Sequence, residues 1–221
     1  RARFLALVRL GAPAGVMLLF ETGAFGASAL MMGWLGAVPL AAHQLALSCA
    51  ALTFTVPLGL SLALSLRVSR ARGEGRAGDV RVIALGAFSL GLLIMIGFAG
   101  VYAFAGAWIS SALTSTREVS ALAAQLLLIA AVFQIFDGAQ VIGVGALRGL
   151  TDVRVPAALT FAAYWLFALP LGYYLAFHTY LGPRGLWVGL AAGLTAAAIL
   201  LIWRFLHKTR PAPRFEAHKL S

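Results

Sequence analysis

Two carboxyl groups stand in the middle of long apolar runs, Glu21 in VMLLFETGAF and Asp137 in FQIFDGAQ. The other acids, Glu74, Asp79, Glu118, Asp152 and Glu216, fall among turn residues and charge clusters. A charged group at the centre of a bilayer costs roughly 2.5–3.5 kcal/mol on insertion scales, and intramembrane acids mark ion, proton or substrate pathways by default. The structural alternative is a carboxyl that stays neutral and hydrogen-bonds a neighbouring helix. Gln134, Asp137 and Gln140 recur every third residue, which predicts a polar stripe facing a bundle interior or a wet cavity. Around Glu21, Thr22 and Ser28 add hydroxyls, and Phe25 adds a ring one turn on. Glu21 and Asp137 are therefore the candidate coupling pair, able to exchange protons or to hold sodium between their oxygens. Gln134, Gln140, Phe133, Phe25 and Thr22 are the candidate cavity lining.

The elements that carry them are helices in a membrane. Of 221 residues, 62% are hydrophobic and 11% charged, against about 45–50% and about 25% in soluble domains. A hydrocarbon core of about 30 Å takes about 20 apolar residues per helix. Six apolar stretches of that length can be drawn, over roughly 10–33, 38–66, 80–106, 119–147, 155–178 and 185–206. Each is too long, and too little alternating, for a barrel strand. The predicted fold class is all-α integral membrane, a six-helix bundle over 1–206 followed by a basic cytoplasmic tail over 207–221. The chain starts at Arg1 and enters an apolar stretch almost at once, as a piece of a longer protein would, and no secretory cleavage site follows.

Of the 17 basic residues, all but Arg117 and Arg184 fall on one side of this arrangement, so the positive-inside rule puts both ends of the segment in the cytoplasm. The net charge of +10 is then spread over loops facing anionic headgroups; membrane lipid is the partner it implies, and nucleic acid is not. Trp34, Trp108, Tyr180, Trp187 and Trp203 lie near span ends, as interfacial belts do, while Trp165 lies mid-span and reads as core or cavity lining. Gly185, Gly189 and Gly193 form a stripe for close helix approach. Pro57 and Pro170 fall inside spans, where each removes a backbone hydrogen bond. Cys49, inside an apolar run, reads as a small hydrophobe. His43, beside Gln44 near the start of the second span, reads first as a hydrogen-bonded structural residue. No metal-ligand spacing, paired nucleophile and base, or phosphate-cradling loop stands out, and no cofactor is implied.

Five segments, GAPAGVMLLFETGAF, PLAAHQLALSCAALTFTVPLGLSLALSLRV, FQIFDGAQVIGVGALRGLTDVRVP, YWLFALPLGYYLAF and GLWVGL, together resemble the second half of a multidrug and toxic compound extrusion (MATE) transporter of the NorM type. The resemblance runs through nearly the whole chain. It implies one lobe of a twelve-helix, two-lobe fold with a central cavity, and hence an N-terminal six-helix lobe as partner. It further implies a multi-pass protein of the cell membrane, in bacteria the inner one, that exports amphipathic, often cationic drugs against H⁺ or Na⁺. In such proteins an acid on the first helix of the lobe and an acid in the fourth-helix motif couple cation to drug, which carries over onto Glu21 and Asp137. The acid on the other lobe's first helix has no counterpart here, and the tyrosine that some members place one turn before the aspartate is Phe133. The nearest rival is a lipid-linked saccharide flippase of the same superfamily, whose cavity would be expected to hold cations for a pyrophosphate; these spans offer none. An intramembrane enzyme using the two acids as a pair, and a purely structural subunit, are rivals of other classes.

Overall fold

The computed structural model describes residues 2–210; the predicted tail from 211 onward, with Arg214, Glu216 and Lys219, lies outside the described residues, as do Arg1 and the side chains of Arg3 and Arg9. The described chain is all-helical and runs through α1 (Ala2–Leu35), α2 (Ala37–Gly73), α3 (Asp79–Leu113), α4 (Arg117–Gly149), α5 (Arg154–Phe161), a π-helical segment (Ala162–Ala168), α6 (Leu169–Phe177) and α7 (Pro183–Lys208). α5, the π segment and α6 form one continuous span, so six helices among the described residues are long and apolar enough to cross a membrane.

The helices outrun the apolar stretches that predict them. α2 has 37 residues and α3 has 35, about 55 Å and about 52 Å of rise, because a helix leaving hydrocarbon keeps its internal hydrogen bonds until a breaker ends it. For α2 the breaker is Gly75, at φ +76°, with Arg76 N–H returning to the Ala71 carbonyl. Arg67, Arg70 and Arg72 thus ride on the last turns of α2. α7 likewise runs to Lys208, into the stretch predicted as tail.

α4 is the central helix, packed between α2, α3 and α7. Small residues let it in: a side chain at Gly138 would strike Met95 of α3, one at Gly145 would strike Ser61 of α2, and one at Gly149 would strike Val68 of α2. The stripe on α7 works similarly, since a Cβ at Gly185, Gly189 or Gly193 would collide with the backbone of Leu175, Gly172 or Ala163 in the fifth span. Pro170 explains the π segment before it. Lacking an N–H, proline cannot bond the carbonyl four residues back, and just upstream Leu169 N–H bonds Tyr164 O, five residues away. Pro57, by contrast, lies in an unbroken α-helix.

The core divides into two apolar clusters. One gathers Met32, Ala46, Leu126, Phe133, Tyr164 and Trp187; the other gathers Leu64, Val68, Ile142, Leu147, Leu201 and Phe205. Between them along α4 lie the polar residues Gln134, Asp137 and Gln140. Trp34, Trp108, Tyr180 and Trp203 are exposed at span ends. Trp187 is not in that belt: it is 1% exposed and donates from Nε1 to His43 Nδ1 at 3.1 Å. The glycine stripe beside it pulls α7 against the fifth span and carries Trp187 inward.

Candidate functional site

The site is built on α1 and α4, with α2 as its third wall. Glu21, Thr22 and Phe25 of α1, Leu47, Phe54 and Ser61 of α2, and Phe133, Asp137 and Gln140 of α4 surround a cavity of about 490 Å³. Most of the lining is apolar, and the rim residues Leu18 and Leu58 are exposed, so the cavity opens on the α1–α2 side. The two acids predicted from sequence therefore meet in one space. Asp137 is 5% exposed and its Oδ1 has no hydrogen-bond partner among the described residues, whereas Glu21 is half-buried.

A residue that the sequence did not single out joins them. Tyr164, fully buried on the π segment, places its hydroxyl 3.5 Å from Glu21 Oε1 and 3.4 Å from Gln140 Oε1. Next to it Trp165 donates from Nε1 to the Phe20 carbonyl at 2.9 Å and packs on Gly23, which fixes the fifth span to α1 just where Glu21 projects. Phe25 packs edge-on against both Tyr164 and Phe133, and Phe133 against Trp187, so the two rings that line the cavity, Phe25 and Phe133, are backed by Tyr164 and Trp187. Phe133 has no hydroxyl; Tyr164 supplies one from another helix. The clue in the sequence was a hydroxyl-bearing ring in mid-span.

Gln134 departs from its predicted place. It does not line the cavity but turns toward α2 and α3, where Thr53 Oγ1 donates to its Oε1 at 3.0 Å and Tyr102 stands 3.1 Å from Thr53. The reason is helical drift. Each three-residue step rotates about 60° back at 3.6 residues per turn, so 134 and 140 stand about 120° apart and cannot share one narrow cavity. Thr22 lines the cavity, with its hydroxyl turned back to the Leu18 carbonyl at 2.7 Å. Ser28 is buried and bonds the Phe25 carbonyl.

A cation also enters the lining, contrary to expectation. Arg148, about three turns beyond Asp137 on α4, borders the cavity, and its Nε has no partner among the described residues. Helical side chains lean toward the helix N-terminus, which aims a last-turn arginine back along the bundle. The site thus offers two carboxyl groups, a phenol and an amide at one depth and a guanidinium toward one end. Oxygen donors of this kind suit a proton or a hard cation. Among the described residues no three His, Cys, Asp or Glu side chains gather into a metal cluster.

The chain has relatives of known family and fold. The profile of the MatE family matches residues 13–174. The chain is 42% identical over 216 residues to a probable multidrug resistance protein NorM of Mesorhizobium japonicum, covering 96% of this chain and 46% of that protein. It is 42% identical over 208 residues to a multidrug resistance protein NorM of Burkholderia vietnamiensis, with coverages of 92% and 45%. Among solved structures, the eukaryotic MATE transporter AtDTX14 superposes with a TM-score of 0.84 at 25% identity, covering 93% of this chain and 48% of that one. The chain spans about half the length of the relatives it matches. This kinship removes the intramembrane enzyme from consideration, and the chain belongs to the MatE family of multi-pass membrane transporters.

Proposed function

We propose that this chain is the C-terminal lobe of a cation-coupled multidrug exporter, in which Glu21 and Asp137 hold either an amphipathic, cationic drug or an electrostatically equivalent H⁺ or Na⁺. The observation that carries the proposal is Asp137, nearly buried and without a partner at Oδ1 among the described residues, facing the same apolar-walled cavity as Glu21. A buried acid left unpaired is costly, and a drug cation, a proton or sodium each relieves that cost. Competition for the carboxylates is enough for coupling, because a ligand shifts a conformational equilibrium only by its differential affinity for the two states.

The cavity opens on the side of α1 and α2, and a second six-helix lobe, to the N-terminal side of this one, closes it in the proposed whole. The clustering of arginines at the α2–α3 and α4–α5 turns supports an orientation with that end in the cytoplasm, in the inner membrane of a bacterium. The test is drug efflux by the full-length protein in vesicles with the pH gradient and the sodium gradient imposed separately. Efflux driven by either one supports the reading, and efflux indifferent to both removes it. Arg148 in the lining favours a second reading, an anionic lipid-linked saccharide as cargo, which the same vesicles test through flipping of a labelled pyrophosphate lipid.

A further inference from the structure

A second cavity, of about 650 Å³, lies at the end of the bundle where the last turns of α2 and α7 meet the first turn of α3. Four of its lining residues are cations, Arg72, Arg81, Lys208 and Arg210, and none is an acid. Among the described residues, nearby carboxylates do not cancel this charge. Glu74 and Asp79 are engaged by Arg70 and Arg76. Asp152 Oδ2 accepts from both Arg204 Nε at 2.7 Å and Lys208 Nζ at 2.8 Å, one negative charge between two positive ones. Arg72 Nη1 donates to the Leu150 carbonyl at 2.7 Å, which holds the guanidinium in place, and among the described residues no carboxylate pairs with it. Among the described residues no carboxylate lies within 4.0 Å of Arg81 or Arg210.

We infer that this cleft is a binding site for a phosphate anion, and that the anion is the headgroup of an anionic phospholipid. Guanidinium forks match phosphate oxygens bidentately, and basic pockets between transmembrane helices are a recurring headgroup site. The surface beside the cleft favours lipid over free phosphate. Directly along α3 from Arg81, Val82 and Leu85 are exposed at 72% and 46%, and Leu92, Leu93 and Ile96 continue the same apolar surface. Acyl chains can lie on it while the phosphate reaches Arg81. The inference is independent of what the central cavity carries.

The test is native mass spectrometry of the delipidated full-length protein titrated with phosphatidylglycerol and, separately, with phosphatidylcholine. The parent should bind phosphatidylglycerol about tenfold more tightly, a difference of about 1.4 kcal/mol. Arg81→Gln with Arg210→Gln should erase most of that preference, while Arg81→Lys with Arg210→Lys should keep it. Arg67→Gln with Arg154→Gln, exposed cations outside the cleft, should leave it unchanged. Lys208 is left intact because Asp152 depends on it. Equal preference in the parent and the double glutamine variant, or an equal loss in the Arg67 and Arg154 control, overturns the site. Displacement of the lipid by inorganic phosphate alone keeps the phosphate site and overturns the lipid assignment; retention of lipid under phosphate supports the lipid assignment.

Discussion

Tyr164 and Glu21, 143 residues apart in sequence, meet through a phenol hydroxyl 3.5 Å from a carboxylate oxygen, and the same hydroxyl stands 3.4 Å from Gln140. The fifth span thereby meets the first at its acid. Removing the hydroxyl in Tyr164→Phe leaves the ring and its packing against Phe25. A net hydrogen bond is worth about 0.5–1.5 kcal/mol, so the ion concentration giving half-maximal efflux should move about two- to tenfold. Efflux titrated against pH and against sodium in vesicles of the variant checks this; curves that overlay the parent assign Tyr164 to packing alone.

Asp137 is the stricter test of coupling. Coupling free energies between ligands are typically about 1–3 kcal/mol, about 5–150-fold in affinity. Asp137→Asn in the full-length protein should lower ion-driven efflux by a factor in that range, with membrane insertion intact, because asparagine keeps the volume and removes the charge. Unchanged efflux takes Asp137 out of the mechanism. Glu21→Gln, at the half-buried member of the pair, should flatten the ion dependence while some efflux remains.

Trp187 and His43 make a stability prediction. Trp187→Phe leaves His43 Nδ1 unpaired inside the bundle, where an orphaned polar atom costs about 1–3 kcal/mol. His43→Leu should cost a similar amount, and the double variant less than the sum, since the two share one bond. Thermal unfolding of the four proteins in detergent closes the cycle; strict additivity would show that the pair does not act as a unit.

What the sequence made legible and what it hid divide along physical lines. Glu21 and Asp137 stood out because a carboxylate in an apolar run has few cheap explanations, and the six spans because their length and composition leave no other structure. Boundaries ran short because hydropathy marks hydrocarbon, while a helix ends where its backbone does, as at Gly75. Tyr164 was hidden since a tyrosine in a span reads equally as core, belt or site until a partner is placed opposite it. Trp187 was misread as a belt residue because burial at a span end depends on how closely the neighbouring helix packs. Gln134 was assigned to the cavity because a three-residue spacing looks like one face over a single turn and drifts off it over two.

The turn that ends α4 supplies a pH-dependent prediction outside the membrane. Thr151 takes the left-handed conformation, φ +61°, while Asp152 N–H returns to the Leu147 carbonyl and Thr151 N–H to that of Arg148, a Schellman-type ending with a non-glycine residue at its left-handed position. That turn delivers Asp152 to Arg204 and Lys208 of α7. Burial opposes the Asp152 charge, yet the hydrogen bonds and charges of Arg204 and Lys208 outweigh it and hold the carboxyl below its ordinary 3.8. A folded-state value below the unfolded one stabilises the protein above the unfolded value, and that stability is lost as pH falls through the folded value. Asp152→Asn should therefore unfold at lower temperature than the parent at neutral pH, and the gap should narrow and close as pH drops below about 4. Thermal unfolding of both proteins across that range checks the sign. A gap that persists under acid would mean that the asparagine acts through the turn geometry rather than through the lost charge.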